Sequence, residues 1–124
     1  MVFVSSMGSR LVAPGLICYC SSKSFTSGVA RSLSRELEGK VDIIDFCPSY
    51  VATNIISDYS VPSIWQITAE RASQVCLRDL GNVEKVHGSF RHWFWNNYFF
   101  LLANKHEWGR VDLLKQMHIA WKQR

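Results

Sequence analysis

The stretch that decides the fold is MVFVSSMGSRLVAPGLICYCSSK, residues 1–23, in which an apolar run precedes several serines and a tyrosine–lysine pair. Residues 1–6, MVFVSS, are rich in β-branched and aromatic side chains, which is typical of a strand buried on both faces. Apolar residues then recur at helical spacing from residue 19 to 37, and Gly39 follows as a stop signal. The predicted inward stripe comprises Phe25, Val29, Ala30, Leu33 and Leu37, with Ser27 on another face.

A second buried strand is predicted at residues 41–47, VDIIDFC, which is closed by Pro48. Strand, long helix and strand in this order form a βαβ unit, whose two strands run parallel. Residues 49–67 have no regular pattern, and their isoleucines and Trp65 are typical of an apolar loop that covers a ligand. The first half of the chain therefore predicts an α/β protein with a long loop after its second strand.

The second half predicts a further helix and a weaker strand. Thr68 can cap a helix that runs to about Leu80, and a third strand is expected at residues 86–92. The predicted inward side chains of this helix are Ala69, Ala72, Val75, Cys76 and Leu80. Two more helical pieces are expected at residues 94–104 and 109–122.

The composition excludes several classes of protein. The 124 residues are 48% hydrophobic with a mean hydropathy of −0.02, which favours one folded domain over a disordered chain. The net charge of +4 is spread along the sequence, so no nucleic-acid surface is predicted. The four cysteines and four histidines lack zinc-ligand spacing, so no metal site is predicted, and the cysteines are interpreted as reduced, mostly buried thiols.

Two apolar segments could be either targeting signals or ordinary parts of the fold. Arg10 and the apolar residues 11–20 could be a signal peptide, but the Pro14–Gly15 pair and the polar SSKS favour a loop that leads into a helix. No apolar stretch reaches the length of about 18 residues that a transmembrane helix needs. The aromatic residues 93–103 are interpreted either as a cover for the sheet or as an interfacial membrane anchor.

The chemistry-bearing residues cluster where parallel strands end. Ligands of open parallel sheets lie at the carboxyl ends of the strands, which places Ser6 beside the helix that bears Tyr19 and Lys23. Tyr19 and Lys23 are four residues apart and share a helix face, so the ammonium can stabilise a phenolate. A hydroxyl that positions a carbonyl, a phenol that protonates it and a cation that tunes the phenol are what carbonyl reduction by a nicotinamide requires. The alternative is a strand-ending serine with a surface tyrosine and lysine.

The ordered set VFVSSMGS, YCSSK and CPSYVATN resembles the short-chain dehydrogenase/reductase family, specifically its carboxy-terminal half. The resemblance implies half of a Rossmann-like doubly wound parallel sheet at residues 1–92, with three strands and flanking helices, and an aromatic and helical extension at residues 93–124. It implies catalysis by Ser6, Tyr19 and Lys23. It also implies that NADP(H) or NAD(H) contacts Tyr19 and Lys23, and in addition Pro48, Val51 and Thr53.

The segment PSYVAT is similar to the branch of 17β-hydroxysteroid dehydrogenases and very-long-chain 3-oxoacyl-CoA reductases. This resemblance implies a lipid-like carbonyl substrate, a 3-oxoacyl-CoA or a keto-steroid, under a loop in which Ile55 and Ile56 are candidate substrate contacts. Packing is the alternative role of these isoleucines and of Tyr50. Ser49 replaces the glycine that many family members have after the proline. The branch also implies association with the endoplasmic reticulum membrane, with a cytoplasmic or organellar assembly as the alternative.

The family's glycine-rich phosphate loop has no counterpart here, so the isolated chain is not expected to bind the dinucleotide productively. The chain is then a piece of a longer reductase, a non-catalytic subunit of an assembly, or one half of a split enzyme. A partner chain could pair with the edge strand Met1–Ser6. Peripheral membrane contact is expected through Trp93–Phe100, and a homo-oligomer could form through the long helix near Tyr19. Whether the isolated chain is an enzyme stays open.

Overall fold

The computed structural model describes residues 1–11, 15–54, 63–94 and 97–98 of the chain. Five strands and two α-helices are defined within them. In chain order they are β1 (Val2–Val4), α1 (Ile17–Glu36), β2 (Ile44–Phe46), β3 (Tyr50–Ala52), β4 (Gln66–Thr68), α2 (Ala69–Asp79) and β5 (Lys85–Val86). Short 3-10 helices span Met7–Arg10 and Ser63–Trp65.

The main sheet has three parallel strands in the order β1-β2-β5. Val2 lies opposite Ile44 and Val4 opposite Phe46, while Phe46 faces Val86 on the other side. The helix α1 connects β1 to β2, as a crossover between neighbouring parallel strands requires. The predicted α/β architecture with three parallel strands and flanking helices is therefore confirmed.

The predicted burial of β1 on both faces is wrong. Val2 and Val4 are 39% and 54% exposed, and only Phe3 between them is half-buried. The reason is position: β1 is at the edge of the described sheet and pairs with β2 alone. The central strand β2 is buried along its whole length, because it has neighbours on both sides.

The core lies between the sheet and α2. Thr68 caps α2 as predicted, and its hydroxyl accepts a hydrogen bond from the Arg71 amide at 3.2 Å. Ala69, which was expected to face inward, is exposed in the first turn of the helix. The buried cluster consists of Ile44, Phe46, Ala72, Val75, Cys76 and Val86, with Val51, Ile67 and Leu80 packed against it.

The burial of α1 agrees with the predicted inward stripe at Ala30 but not at Phe25. Cys20, Ser27 and Ala30 are its buried residues, whereas Phe25 is 74% exposed. Val29, Leu33 and Leu37 of the predicted stripe are half-buried, so the prediction failed at Phe25 and at Ser27, which was expected on another face. Ser27 is buried and donates a hydrogen bond to Asp45. Its polar side chain had predicted an exposed position.

Residues 49–54 and 63–67, which were predicted to have no regular structure, contain two short strands. β3 and β4 pair in parallel as a separate two-stranded ribbon, with Val51 opposite Ile67. Each strand has only three residues, which is too short for an alternating pattern to be visible in the sequence. Residues 55–62, including the candidate substrate contacts Ile55 and Ile56, lie outside the described residues.

The third predicted strand, residues 86–92, is mostly wrong. β5 ends at Val86, and Gly88 has a φ of +81°, which turns the chain out of the sheet. Residues 90–94 are helical, and they contain the buried His92. The helix predicted at residues 109–122 and most of the one at 94–104 lie outside the described residues.

We expect Gly88→Ala to destabilise the chain by about 1–3 kcal/mol, because a side chain at this position is unfavourable in two ways. The positive φ disfavours an L-residue, and the added Cβ would lie 3.0 Å from Cδ1 of Ile67. The matched control is Gly28→Ala in α1, where a Cβ meets nothing within 4 Å and is expected to stabilise the helix by about 0.5–1 kcal/mol. Urea unfolding followed by circular dichroism measures both, and equal effects would contradict the role of Gly88.

Candidate active site

Two backbone hydrogen bonds bring the end of β1 against the segment that follows β2. The amide of Ser5 donates to the carbonyl oxygen of Phe46 at 2.9 Å, and the amide of Met7 donates to that of Pro48 at 3.0 Å. The strand pairing therefore continues past the last residues of both strands. As a result Ser6 lies beside Pro48 at the carboxyl edge of the sheet, where ligands of parallel sheets bind.

Ser6 has a defined side-chain position. It is the N-cap of the 3-10 helix Met7–Arg10, and its Oγ accepts a hydrogen bond from the Gly8 amide at 3.1 Å. The same Oγ accepts a second hydrogen bond from the Tyr19 hydroxyl at 2.8 Å. The structure thus brings together the first two predicted catalytic residues, which are thirteen positions apart in the sequence.

Gly8 makes the close approach of Tyr19 possible, and sequence reasoning did not single it out as a site residue. A Cβ at Gly8 would lie 2.8 Å from Cε1 of Tyr19, which is too close for any carbon–carbon contact. The phenol ring therefore rests directly on the backbone of the turn after Ser6. Its 45% exposed side chain still leaves the hydroxyl region open to a ligand.

Lys23 lies one helical turn after Tyr19 on α1, as predicted. Its Nζ donates to the carbonyl oxygen of Val4 at 3.1 Å, so the ammonium lies at the end of the edge strand. The residue is half-buried, which strengthens the field of its charge at nearby groups relative to a fully solvated lysine. Tyr19, Lys23 and the end of β1 therefore form one continuous polar surface.

The predicted cofactor contacts after β2 differ in their burial and in their access to a ligand. Pro48 is at the site through its carbonyl oxygen, and Val51 packs against the buried core. Thr53 is exposed, so its hydroxyl is available to a ligand. Tyr50 is half-buried, and burial together with the neighbouring Tyr19 raises the pKa of its phenol. Tyr50 thus lies close enough to Tyr19 to interact with it electrostatically.

A buried carboxylate beneath the site was also missed by sequence reasoning. Asp45 on β2 is 1% exposed and accepts hydrogen bonds from the hydroxyls of Ser5 and Ser27. The thiol of Cys47 lies 3.3 Å from its Oδ1, and Nζ of Lys85 lies 3.6 Å from its Oδ2. The only sequence signal for this arrangement was an acidic residue inside an otherwise apolar strand.

The environment keeps Asp45 ionised despite its burial. Burial by itself tends to raise the pKa of the carboxyl, but the hydrogen bonds from Ser27, Ser5 and Cys47 and the charge of Lys85 outweigh it. The net result is a pKa below the usual value for an aspartate. Asp45 is therefore an internal anion that links several elements.

His92 holds the segment after β2 from the other side. The Ser49 amide donates to Nδ1 of His92 at 3.4 Å, and Nε2 lies 3.0 Å from the carbonyl oxygen of Trp65. The buried ring thus joins the residues after Pro48 to the start of β4. Across residues 1–11, 15–54, 63–94 and 97–98, no three His, Cys, Asp or Glu side chains converge as metal ligands would.

Comparison with known proteins supports the fold class. The sequence profile described as short chain dehydrogenase matches residues 1–61. A solved structure of a 7beta-hydroxysteroid dehydrogenase superposes with a TM-score of 0.62 at 21% sequence identity, covering 76% of this chain. No curated protein matches the chain significantly.

The chain spans only 41% of the length of that solved structure, so the likeness covers one part of a larger fold. At this identity the superposition shows the fold alone. The profile match contains Ser6, Tyr19, Lys23 and the segment from Pro48 to Thr53. Residues 1–61 of this chain are therefore similar in sequence to the short-chain dehydrogenase family, and the fold is compatible with that similarity.

Proposed function

We propose that the chain is the catalytic half of an oxidoreductase that reduces the keto group of a lipid-like substrate with NAD(P)H. The observation that carries this proposal is the 2.8 Å hydrogen bond from the Tyr19 hydroxyl to Ser6 Oγ, with Lys23 one turn further along the same helix. The pair lies at the carboxyl edge of a parallel sheet and is open to solvent.

Each side chain has a separate task in the reduction. The Ser6 hydroxyl and the Tyr19 hydroxyl together hold the carbonyl oxygen by hydrogen bonds, replacing the bond that they make to each other. Tyr19 then gives its proton to that oxygen as negative charge develops on it. The Lys23 ammonium stabilises the phenolate that remains, because its positive charge lies on the same helix face.

The residues present fit one end of a dinucleotide. The Tyr19 and Lys23 side chains offer hydrogen-bond donors suited to a nicotinamide ribose, and Thr53 offers an exposed hydroxyl directly after β3. When bound, the reduced nicotinamide supplies a hydride to the carbonyl carbon. The sequence contains no G-x-x-x-G-x-G turn for the pyrophosphate, so the other end of the dinucleotide needs residues from elsewhere.

The substrate class rests on resemblance. The segment PSYVAT is similar to reductases of 3-oxoacyl-CoA thioesters and keto-steroids, and the superposed structure is that of a hydroxysteroid dehydrogenase. The half-buried Tyr50 is a further aromatic side chain close enough to affect Tyr19 electrostatically, and an aromatic ring in this region suits an apolar substrate. NADPH is proposed as the reductant through the same branch resemblance.

Turnover by the native polypeptide tests this proposal. We expect Tyr19→Phe to lower the rate of NADPH-dependent ketone reduction by about 100-fold or more, because the proton donor is lost. Gly8→Ala should lower it by roughly 10- to 100-fold, since the added methyl group displaces the Tyr19 ring. The measurement is NADPH absorbance with a 3-oxoacyl-CoA and a keto-steroid, on protein recovered from its source with its intact mass determined.

The control for this experiment is Tyr98→Phe, which removes a phenol hydroxyl from a ring that stacks on Phe94 after β5. It should turn over like the unaltered protein. Equal activity of Tyr19→Phe and Tyr98→Phe would exclude the proposed proton donor.

The isolated 124-residue chain should not bind NADPH saturably at micromolar concentrations. The physical reason is the missing pyrophosphate turn, without which much of the dinucleotide's charge stays unneutralised. Calorimetric titration of the purified chain measures this, and adenosine diphosphate serves as a control for nonspecific anion binding. Saturable micromolar binding of NADPH alone would show that the chain holds the dinucleotide by itself.

A second candidate is a non-catalytic subunit or one half of a split reductase. The observation that favours it is the exposed outer edge of β1, where Val2 and Val4 present apolar side chains beside a strand with one described neighbour. A partner chain would extend the sheet through this edge. An amino-terminal reductase half among the copurified proteins favours the split enzyme, whereas an unrelated assembly that tolerates Tyr19→Phe favours the structural subunit.

We also propose peripheral membrane contact through the aromatic segment after β5, which would suit an endoplasmic reticulum location. Phe90, Trp93, Phe94 and Tyr98 are 45–75% exposed, and they form two stacked pairs beside the exposed Arg91. Rings at headgroup depth with a nearby cation are typical of interfacial segments. Within the described residues, no helix combines the length and apolar character that crossing a bilayer demands.

Vesicle flotation tests this contact. The chain should float with phosphatidylcholine vesicles that contain phosphatidylserine, and Trp93→Ala should weaken binding by about tenfold because the indole that enters the lipid interface is lost. The control is Leu77→Ala, which truncates another exposed apolar side chain, on α2. Equal loss in both variants, or no flotation of the unaltered chain, would contradict a membrane contact at this segment.

A further inference from the structure

We propose that Asp45 is the positioning residue of the Ser6–Tyr19 pair, so that the site depends on a buried carboxylate one layer beneath it. This inference rests on the proposed function, since it concerns the same site. Asp45 touches neither Ser6 nor Tyr19, and it acts through the elements that carry them.

The two carboxylate oxygens are satisfied from different elements. Oδ1 accepts hydrogen bonds from the hydroxyl of Ser5 and, at 3.3 Å, from the thiol of Cys47. Oδ2 accepts from the hydroxyl of Ser27 at 2.5 Å and faces Nζ of Lys85 at 3.6 Å. One side chain on β2 therefore holds the end of β1, the middle of α1 and β5.

These contacts bear directly on the catalytic pair. Ser5 is the residue before Ser6, so its attachment determines where the chain turns into the 3-10 helix. Ser27 follows Lys23 by one helical turn and Tyr19 by two, on the same side of α1. The carboxylate thus fixes the position of Ser6 at the end of β1. It also fixes the rotation of α1 about its own axis, and therefore the direction in which Tyr19 points.

A carboxylate at this position has a cost that an apolar side chain would not have. Burying an unpaired charge is strongly unfavourable, so Asp45 is tolerated only because its oxygens are saturated by donors. Such saturation ties the donors to one geometry, because moving α1 or the end of β1 breaks a hydrogen bond to a buried anion. Apolar packing between the same elements would permit small sliding movements.

The test is the phenol signal of Tyr19 in the full 124-residue chain. With ¹³Cζ-labelled tyrosine, the four tyrosines give four resonances, and Tyr19→Phe identifies the one from Tyr19. Ser6→Ala gives the position of this signal without its hydrogen-bond partner. No turnover or cofactor is needed, so failure here is separate from failure of the proposed reductase activity.

Asp45→Asn should move the Tyr19 signal at least halfway toward its position in Ser6→Ala, because the amide group cannot accept hydrogen bonds on both sides. Ser27→Ala, which removes a single donor from α1, should move it in the same direction by a smaller amount. If Asp45→Asn does not fold, the result for Ser27→Ala decides whether the proposal holds. The control is Ile44→Val, which removes one methylene group from the neighbouring core position and should leave the signal unmoved.

An unmoved Tyr19 signal in folded Asp45→Asn overturns the proposal, and so does an unmoved signal in Ser27→Ala when Asp45→Asn is unfolded. Equal movement in Ile44→Val also overturns it, because the effect would then follow general loss of stability. Movement of the Tyr19 signal in Asp45→Asn and Ser27→Ala, without movement in Ile44→Val, supports the proposal.

Discussion

The parallel pairing of β1 with β2 is the constraint on which the rest of the structure depends. It continues past both strands through the amides of Ser5 and Met7, so that the two carboxyl ends meet side by side. Because the connection between parallel strands must cross back over the sheet, α1 starts at this same edge. The helix therefore delivers Tyr19 to Ser6 as a consequence of the sheet topology.

The polar interior follows from this pairing. Asp45 lies in the central strand, where both faces of the sheet are covered and no water can solvate its charge. Its hydrogen bonds to Ser5 and Ser27 are therefore obligatory, and they replace apolar contacts between β1, β2 and α1. The site above is held by a saturated anion, while the opposite side of β2 packs against α2 in an apolar cluster. One strand thus separates a polar layer from an apolar one.

The site itself combines a rigid base with an open upper surface. The Gly8 backbone and Ser6 hold the Tyr19 ring on one side, and the residue is still 45% exposed to solvent. The Lys23 ammonium bonds to the last carbonyl group of β1, which lies at the edge of the sheet formed by the described residues. An arrangement of this kind suits a half-site that a ligand or a second segment completes.

The sequence by itself determined the first two strands of the main sheet and the helix between them, the cap at Thr68, and the placement of Tyr19 and Lys23 one turn apart on that helix. Each of these depends on neighbours in the chain: a run of β-branched residues, a hydroxyl before a helix, or two side chains one turn apart. Only the tertiary structure decided that Ser27 rather than Phe25 is buried on α1, where the last strand ends, and that β3 and β4 pair. Those outcomes depend on contacts between distant residues. Ser27 is buried because Asp45 lies opposite it, and Gly8 matters because Tyr19 packs on its backbone, so neither could be recognised from local pattern.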